Sequence, residues 1–216
     1  MLKINTSLSA YEMQLVTDAQ ALITKNLIIK KVSALFADLA EEYKKELENT
    51  VFDSDNFINP KISRGENYLS LPYVILDFPR QFGKTDVFAI RSFFWWGNFF
   101  SITLQLAGRY HAKFYSNIEN AINKNRFAGW YISTSENQWE HHFESNNYIP
   151  VKEGTKYNLS EQSFLKLAKK IPLAQWDETN VFYTKNFKLI METLLSMPQS
   201  GETDLLPGTP TTGFDL

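Results

Sequence analysis

Two runs of β-branched and aromatic residues, parted by Gly97-Asn98, constrain this chain more than any other feature. VFAIRSFFWW (87–96) and FFSITLQL (99–106) carry side chains that favour the pleated, half-buried surface of a sheet. A two-residue loop with glycine first fits a tight type II′ hairpin. In that register Trp96 faces Phe99 and Trp95 faces Phe100. Because side chains alternate across a strand, one face then holds Val87, Ala89, Arg91, Phe93 and Trp95 with Phe100, Ile102, Leu104 and Leu106. The other holds Phe88, Ile90, Ser92, Phe94 and Trp96 with Phe99, Ser101, Thr103 and Gln105. The first is expected to be an oily layer under the N-terminal helices, the second a half-polar layer suited to a pocket.

Around this hairpin the chain reads as α+β. Leu8, Tyr11, Leu15, Ala19, Leu22, Ile23, Ile28, Val32, Leu35, Leu39 and Tyr43 recur at helical spacing. They predict helix over 8–48, capped at Ser7 or Ser9, with a break near Thr24-Lys25-Asn26. Residues 49–67 read as loop and 68–79 as a strand, with Pro72 at an edge or bulge because it cannot donate to a ladder. Residues 110–124 read as helix and AGWYIST as strand. Asn158 to Glu161 have the form of a capping box for a helix to about Lys170, and TKNFKLIMETLLSM closes the fold as a helix. The expected architecture is an antiparallel sheet of about four to five strands with helices packed on one face. It forms one domain over 1–197, and the acidic, Pro/Gly/Thr-rich 198–216 is expected to be a disordered tail.

The chain contains no cysteine, which removes disulfides, thiolate metal ligands and cysteine nucleophiles and suits a reducing compartment. No stretch is long and apolar enough for a membrane span, and MLKINTSLSAYEM lacks the apolar core of a signal peptide. A cytoplasmic location is expected. Net charge is −2, which argues against a general nucleic-acid binder. The charge is unevenly spread: residues 61–131 hold 9 Lys/Arg against 4 Asp/Glu, between acidic flanks. All five arginines (Arg64, Arg80, Arg91, Arg109, Arg126) lie in that segment, whereas the 17 lysines are scattered. Arginine offers a planar fork of donors that lysine lacks.

Several motifs fail on inspection. DSDNFINPKISR has no glycine at the sixth place of a calcium loop and Arg64 where a bidentate glutamate is needed. Gly83-Lys84-Thr85 lacks the first glycine of a phosphate loop, because Phe78 stands there. Adjacent His141 and His142 point to opposite faces of a strand and cannot share one metal. No metal or cofactor is expected. No G-x-S-x-G elbow marks a nucleophile.

The remaining candidates centre on charge. Arg91 falls on the apolar face, opposite Leu104, and needs a buried partner such as Asp77. Its other reading is an anion-binding arginine at the floor of a pocket. Arg64 and Arg80 are placed to rim a pocket on the half-polar face, lined by Ser92, Trp96, Thr103 and Gln105. The primary expectation is a binding protein for a small anionic molecule. An alternative is a hydrolase- or transferase-like enzyme on an anionic or phosphorylated substrate, with Glu66 and Asp77 as acid and base and His111 as a further candidate base. A third is a protein-interaction module whose exposed aromatic face docks a partner or a second copy.

Overall fold

The hairpin turns through three residues, not two. In the computed structural model, which describes residues 5–48, 50 and 59–196, strand β3 (Val87–Trp95) pairs with β4 (Phe99–Ala107) so that Trp95 faces Phe99 and Arg91 faces Thr103. Trp96, Gly97 and Asn98 form the reversal. The Asn98 amide donates to the Trp95 carbonyl at 3.0 Å, and Gly97 takes φ 72°, a left-handed conformation that favours glycine. Trp96 leaves the ladder and donates its amide to Pro72 at 2.9 Å. The pairing is therefore shifted by one residue from the expected register, and each strand's partner face changes.

The observed register groups like with like. Phe88, Ile90 and Phe94 share a face with Phe100, Ile102, Leu104 and Leu106, and all are buried. Arg91 shares the opposite face with Thr103 and Gln105. Ser92, expected to line a pocket, lies within the oily layer, its hydroxyl 3.1 Å from that of Tyr43. Trp96 also packs against that helix-covered core.

The sheet has seven strands, all antiparallel, so the expected four to five undercounts it. To β3 and β4 are added β1 (Lys61–Tyr68), β2 (Leu71–Phe82), β5 (Tyr131–Ser133), β6 (Tyr148–Pro150) and β7 (Phe164–Pro172), in the order β1-β2-β3-β4-β7-β5-β6. Two of the extra strands come from segments read otherwise. Residues 61–67, expected as loop, form with Tyr68 the edge strand β1, whose Lys61, Arg64 and Glu66 keep that edge charged and exposed. Residues 164–172, expected as helix as far as about Lys170, form β7 because they pair with β4 along its whole length, from Phe99–Pro172 to Ala107–Phe164. Tertiary pairing overrides the local capping signal. Pro72 lies opposite a register shift between Gly65 and Tyr68, as its missing amide requires.

Helices α1 (Ala10–Thr17), α2 (Ala19–Glu48), α3 (Arg109–Asn123) and α4 (Thr179–Leu195) complete the fold. The helical break falls at Asp18, before the expected Thr24–Asn26, because Asp18 ends α1 and its carboxylate caps the Ala21 amide at 3.0 Å. Ile29, Val32, Phe36, Leu39, Tyr43 and Leu47 form the buried stripe of α2. The Tyr43 ring stacks on Phe187 of α4 at 3.7 Å, and with α3 these helices cover one face of the sheet in a single apolar cluster. The expected tail, 198–216, lies outside the described residues.

Candidate functional site

Strand alternation sends a second set of side chains to the sheet face away from the helices. Near the hairpin this face is apolar: Ile75, Phe93, Trp95 and Phe99 cluster with Tyr68, Leu71, Tyr73 and Phe143. Farther along it turns polar. One cross-strand row runs Asp77, Arg91, Thr103, and the next runs Ala89, Gln105, Lys166. All of these side chains are buried; Lys166 is only 1% exposed.

A strap, residues 134–147, lies over this polar floor and connects β5 to β6. The sheet holds it with polar groups from four strands. The Tyr68 hydroxyl of β1 accepts the amides of His141 (2.7 Å) and His142 (3.0 Å) and donates to the Glu140 carboxylate at 3.3 Å. Arg91 of β3 donates to His141 Nε2 at 3.0 Å. Gln105 of β4 donates to Gln138 at 2.9 Å, and Lys166 of β7 donates Nζ to the Glu140 carbonyl. Arginine has no acceptor, so His141 Nε2 must be the unprotonated nitrogen.

The electrostatics are unbalanced. Arg91 forks onto Asp77, Nε to Oδ1 at 2.7 Å and Nη2 to Oδ2 at 3.1 Å, the bidentate geometry that arginine favours. Among the described residues Lys166 has no such direct pair: beyond the carbonyl it lies over the Tyr148 ring at 5.1 Å, and the Glu140 carboxylate, held by Tyr68, attracts it only through space. Burial, and then the nearby Arg91, push its pKa down to about 7. Burial, followed by Arg91 and Lys166, holds His141 well below the usual histidine range. The Tyr148 hydroxyl is buried beside Thr103 without a hydrogen bond of ordinary geometry, and burial raises its pKa.

A second feature of this face is an open depression of about 290 Å³ lined by Asn98, Phe99, Gly129, Tyr131, Lys170 and Pro172. Lys170 Nζ sits 4.7 Å from the ring centre of the strap residue Phe143, next to the rings of Phe99 and Tyr131. Lys166 and Lys170 thus project from β7 to the same side.

The predicted site residues are only partly brought together. Arg91, Asp77, Thr103 and Gln105 share the floor, whereas Ser92 and Trp96 belong to the opposite face. Arg64 is exposed on edge strand β1, and Arg80 donates Nε to the Asn59 carbonyl at 3.1 Å. Glu66 is exposed and paired with Lys25 of α2. Asp77 stands across from Lys61, five residues along β1 from Glu66. His111, the further candidate base, is buried: it bonds the Leu159 carbonyl at 2.8 Å and stacks on Tyr115. Sequence reasoning missed Lys166, Tyr68, Glu140 and His141. For Lys166 a signal existed: Leu165 and Leu167 alternate around it, and as a strand they turn it to Arg91's side. Among the described residues no group of three or more His, Asp or Glu side chains is arranged to hold a metal ion, and no helix is long and apolar enough to cross a membrane.

Comparison with protein-family models, curated proteins and solved structures finds no match for this chain.

Proposed function

We propose that this protein binds a small anionic ligand, a carboxylate or phosphate, at the Arg91–Lys166 floor beneath the strap. The observation that carries the reading is that both cations are met on the strap side by neutral acceptors. Lys166 has the Glu140 carbonyl and Arg91 has the His141 imidazole. Buried charges are normally paired with opposite charge, and here Arg91 and Lys166 have one directly paired carboxylate in the floor, Asp77, while the strap's Glu140 carboxylate is turned to Tyr68 and His142. An oxyanion that displaced the two strap acceptors would supply the missing charge to both donors. Thr103, Gln105 and Tyr148 add hydroxyl and amide groups at the same place, and Lys170 supports approach along β7. The pairing of Glu66 with Lys25 and of Asp77 with Arg91 gives the enzyme reading no acid–base couple of its own.

The test is a thermal-shift titration with inorganic phosphate, acetate and citrate, with chloride at matched ionic strength as control. At least one of these anions is expected to stabilise the wild type in a concentration-dependent way, about 2.7 kcal/mol at a hundredfold excess over its Kd. Lys166→Met is expected to lose that response while remaining folded. A wild type indifferent to all three anions, or a Lys166→Met variant that responds equally, would exclude this site.

A further inference from the structure

The N-terminal helical arm presents a separate problem, independent of the anion site. No residue from Asn5 to Thr24 is buried. Between Leu8 and Leu27, eight large apolar side chains are half or more exposed: Leu8, Tyr11, Met13, Leu15, Val16, Leu22, Ile23 and Leu27. Contiguous exposed apolar surface of this kind marks an interaction site. An isolated helix shorter than roughly 12 residues is marginal in water, and the 8 residues of α1 bury nothing in the fold. Within α2, Leu22 lies seven residues before Ile29, so the stripe that enters the core from Ile29 onward begins, uncovered, in the arm.

The charges say what covers it. Residues 5–24 carry Glu12 and Asp18 and no Lys or Arg, whereas residues 25–31 carry Lys25, Lys30 and Lys31 and no Asp or Glu. A parallel partner arm would set like charges side by side. An antiparallel one sets the acidic half of each arm beside the basic half of the other. A two-fold axis makes each such contact twice, because the same surface is used by both copies.

We infer that two copies of this chain assemble through their arms, with α1 of each crossing the first turns of α2 of the other in antiparallel sense. Leu15 of one copy then covers Leu27 of the other, and Leu22 and Ile23 lie beside the two-fold axis. Glu12 comes near the partner's Lys30 and Lys31. Its carboxylate also accepts the Ser9 amide at 2.7 Å, so its charge is held at the arm.

Sedimentation equilibrium on the full chain tests this. The wild type is expected as a dimer, and Leu15→Ser with Leu22→Ser as a folded monomer. Lys30→Glu with Lys31→Glu is expected to raise the dimer dissociation constant, roughly two- to fivefold per ion pair. Glu12→Gln keeps the capping group and removes the charge. It should weaken the wild-type dimer but strengthen the dimer of the Lys30→Glu, Lys31→Glu variant, a reversal of sign that a purely structural effect of the cap would not give. The chain has no cysteine, so Glu12→Cys with Lys30→Cys gives an unambiguous covalent trap, expected to form only an intermolecular disulfide. A wild type that is monomeric at every concentration, whether or not the arm binds some other protein, overturns the inference. So does a dimer insensitive to the Leu15 and Leu22 substitutions, or the absence of the sign reversal.

Discussion

Lys166 and Arg91 stand on different strands yet end on consecutive residues of one loop, Lys166 on the carbonyl of Glu140 and Arg91 on the imidazole of His141. The strap is thus gripped at one point by two buried basic side chains. Its docking depends on their charge and on that of the groups they hold.

The first consequence is a pH-dependent stability carried by Lys166. An unfolded lysine titrates near 10.4, and this one is held at about 7 in the folded protein by burial and by Arg91. Between those values the unfolded chain holds the proton and the folded protein does not, so stability rises as pH climbs from about 7 toward 10. Below about 7 both forms are protonated and the full cost of burying the charge remains. The contribution across the window is on the order of 3 to 5 kcal/mol. Lys169 is shifted in the same direction, so the Lys166 part is the difference between wild type and Lys166→Met. Urea denaturation at pH 6, 8 and 10 should show the variant more stable than wild type at pH 6, with the gap closing by pH 10.

Asp77 is expected to matter more for stability than Lys166. Removing it leaves Arg91, 7% exposed, without its carboxylate, and breaking one side of a buried pair costs about 3 to 5 kcal/mol. Asp77→Ala should therefore be strongly destabilised. Asp77→Ala combined with Arg91→Met should recover most of the loss. Denaturant midpoints of the two singles and the double provide the cycle. Additive losses would mean that the pair is not coupled.

Acid should release the strap before it unfolds the protein. His141 ionises well below 6.5 in the folded state, because its charged form would stand buried against Arg91, Lys166 and His142. Its contribution is present above the unfolded value of about 6.5 and is lost as pH falls toward the folded value. Protonation at Nε2 also removes the acceptor that Arg91 uses. Amide exchange across 138–142 is expected to accelerate on acidification, after correction for intrinsic rates, while β3 and β4 stay protected. His141→Gln should remove that pH dependence.

Tyr68 offers a test of the docking through an uncharged side chain. Its hydroxyl accepts two strap amides, so Tyr68→Phe leaves both donors unsatisfied at a cost of roughly 1 to 3 kcal/mol. The amides of His141 and His142 should lose protection first. Unchanged exchange at those two amides would place the hold on the strap elsewhere.

The one-residue shift of the hairpin shows where a linear reading fails and why. With a two-residue loop Arg91 falls opposite Leu104 on an oily face; with the observed three-residue loop it falls opposite Thr103, beside Gln105. The awkward position of Arg91 was itself a sign against the tighter turn, since the cost of a buried charge among aliphatic side chains exceeds the preference for one turn type over another. The Arg91–Asp77 pair was legible regardless of register, because it depends only on the neighbouring strand.

What the chain determines by itself is whatever depends on neighbours in sequence. That covers the hairpin, the helical stripe of α2 and its apolar continuation into the arm, the absence of cysteine, and the segregation of arginine and of the arm's charges. Alternation and helical periodicity are local consequences of backbone geometry. Only the tertiary structure decided that residues 164–172 are a strand, that Lys166 therefore stands beside Arg91, and that a loop bearing His141 closes over both. Those outcomes rest on hydrogen bonds between segments tens of residues apart, where long-range pairing with β4 outweighs a local capping signal and no spacing rule links a lysine, a tyrosine and a distant backbone carbonyl.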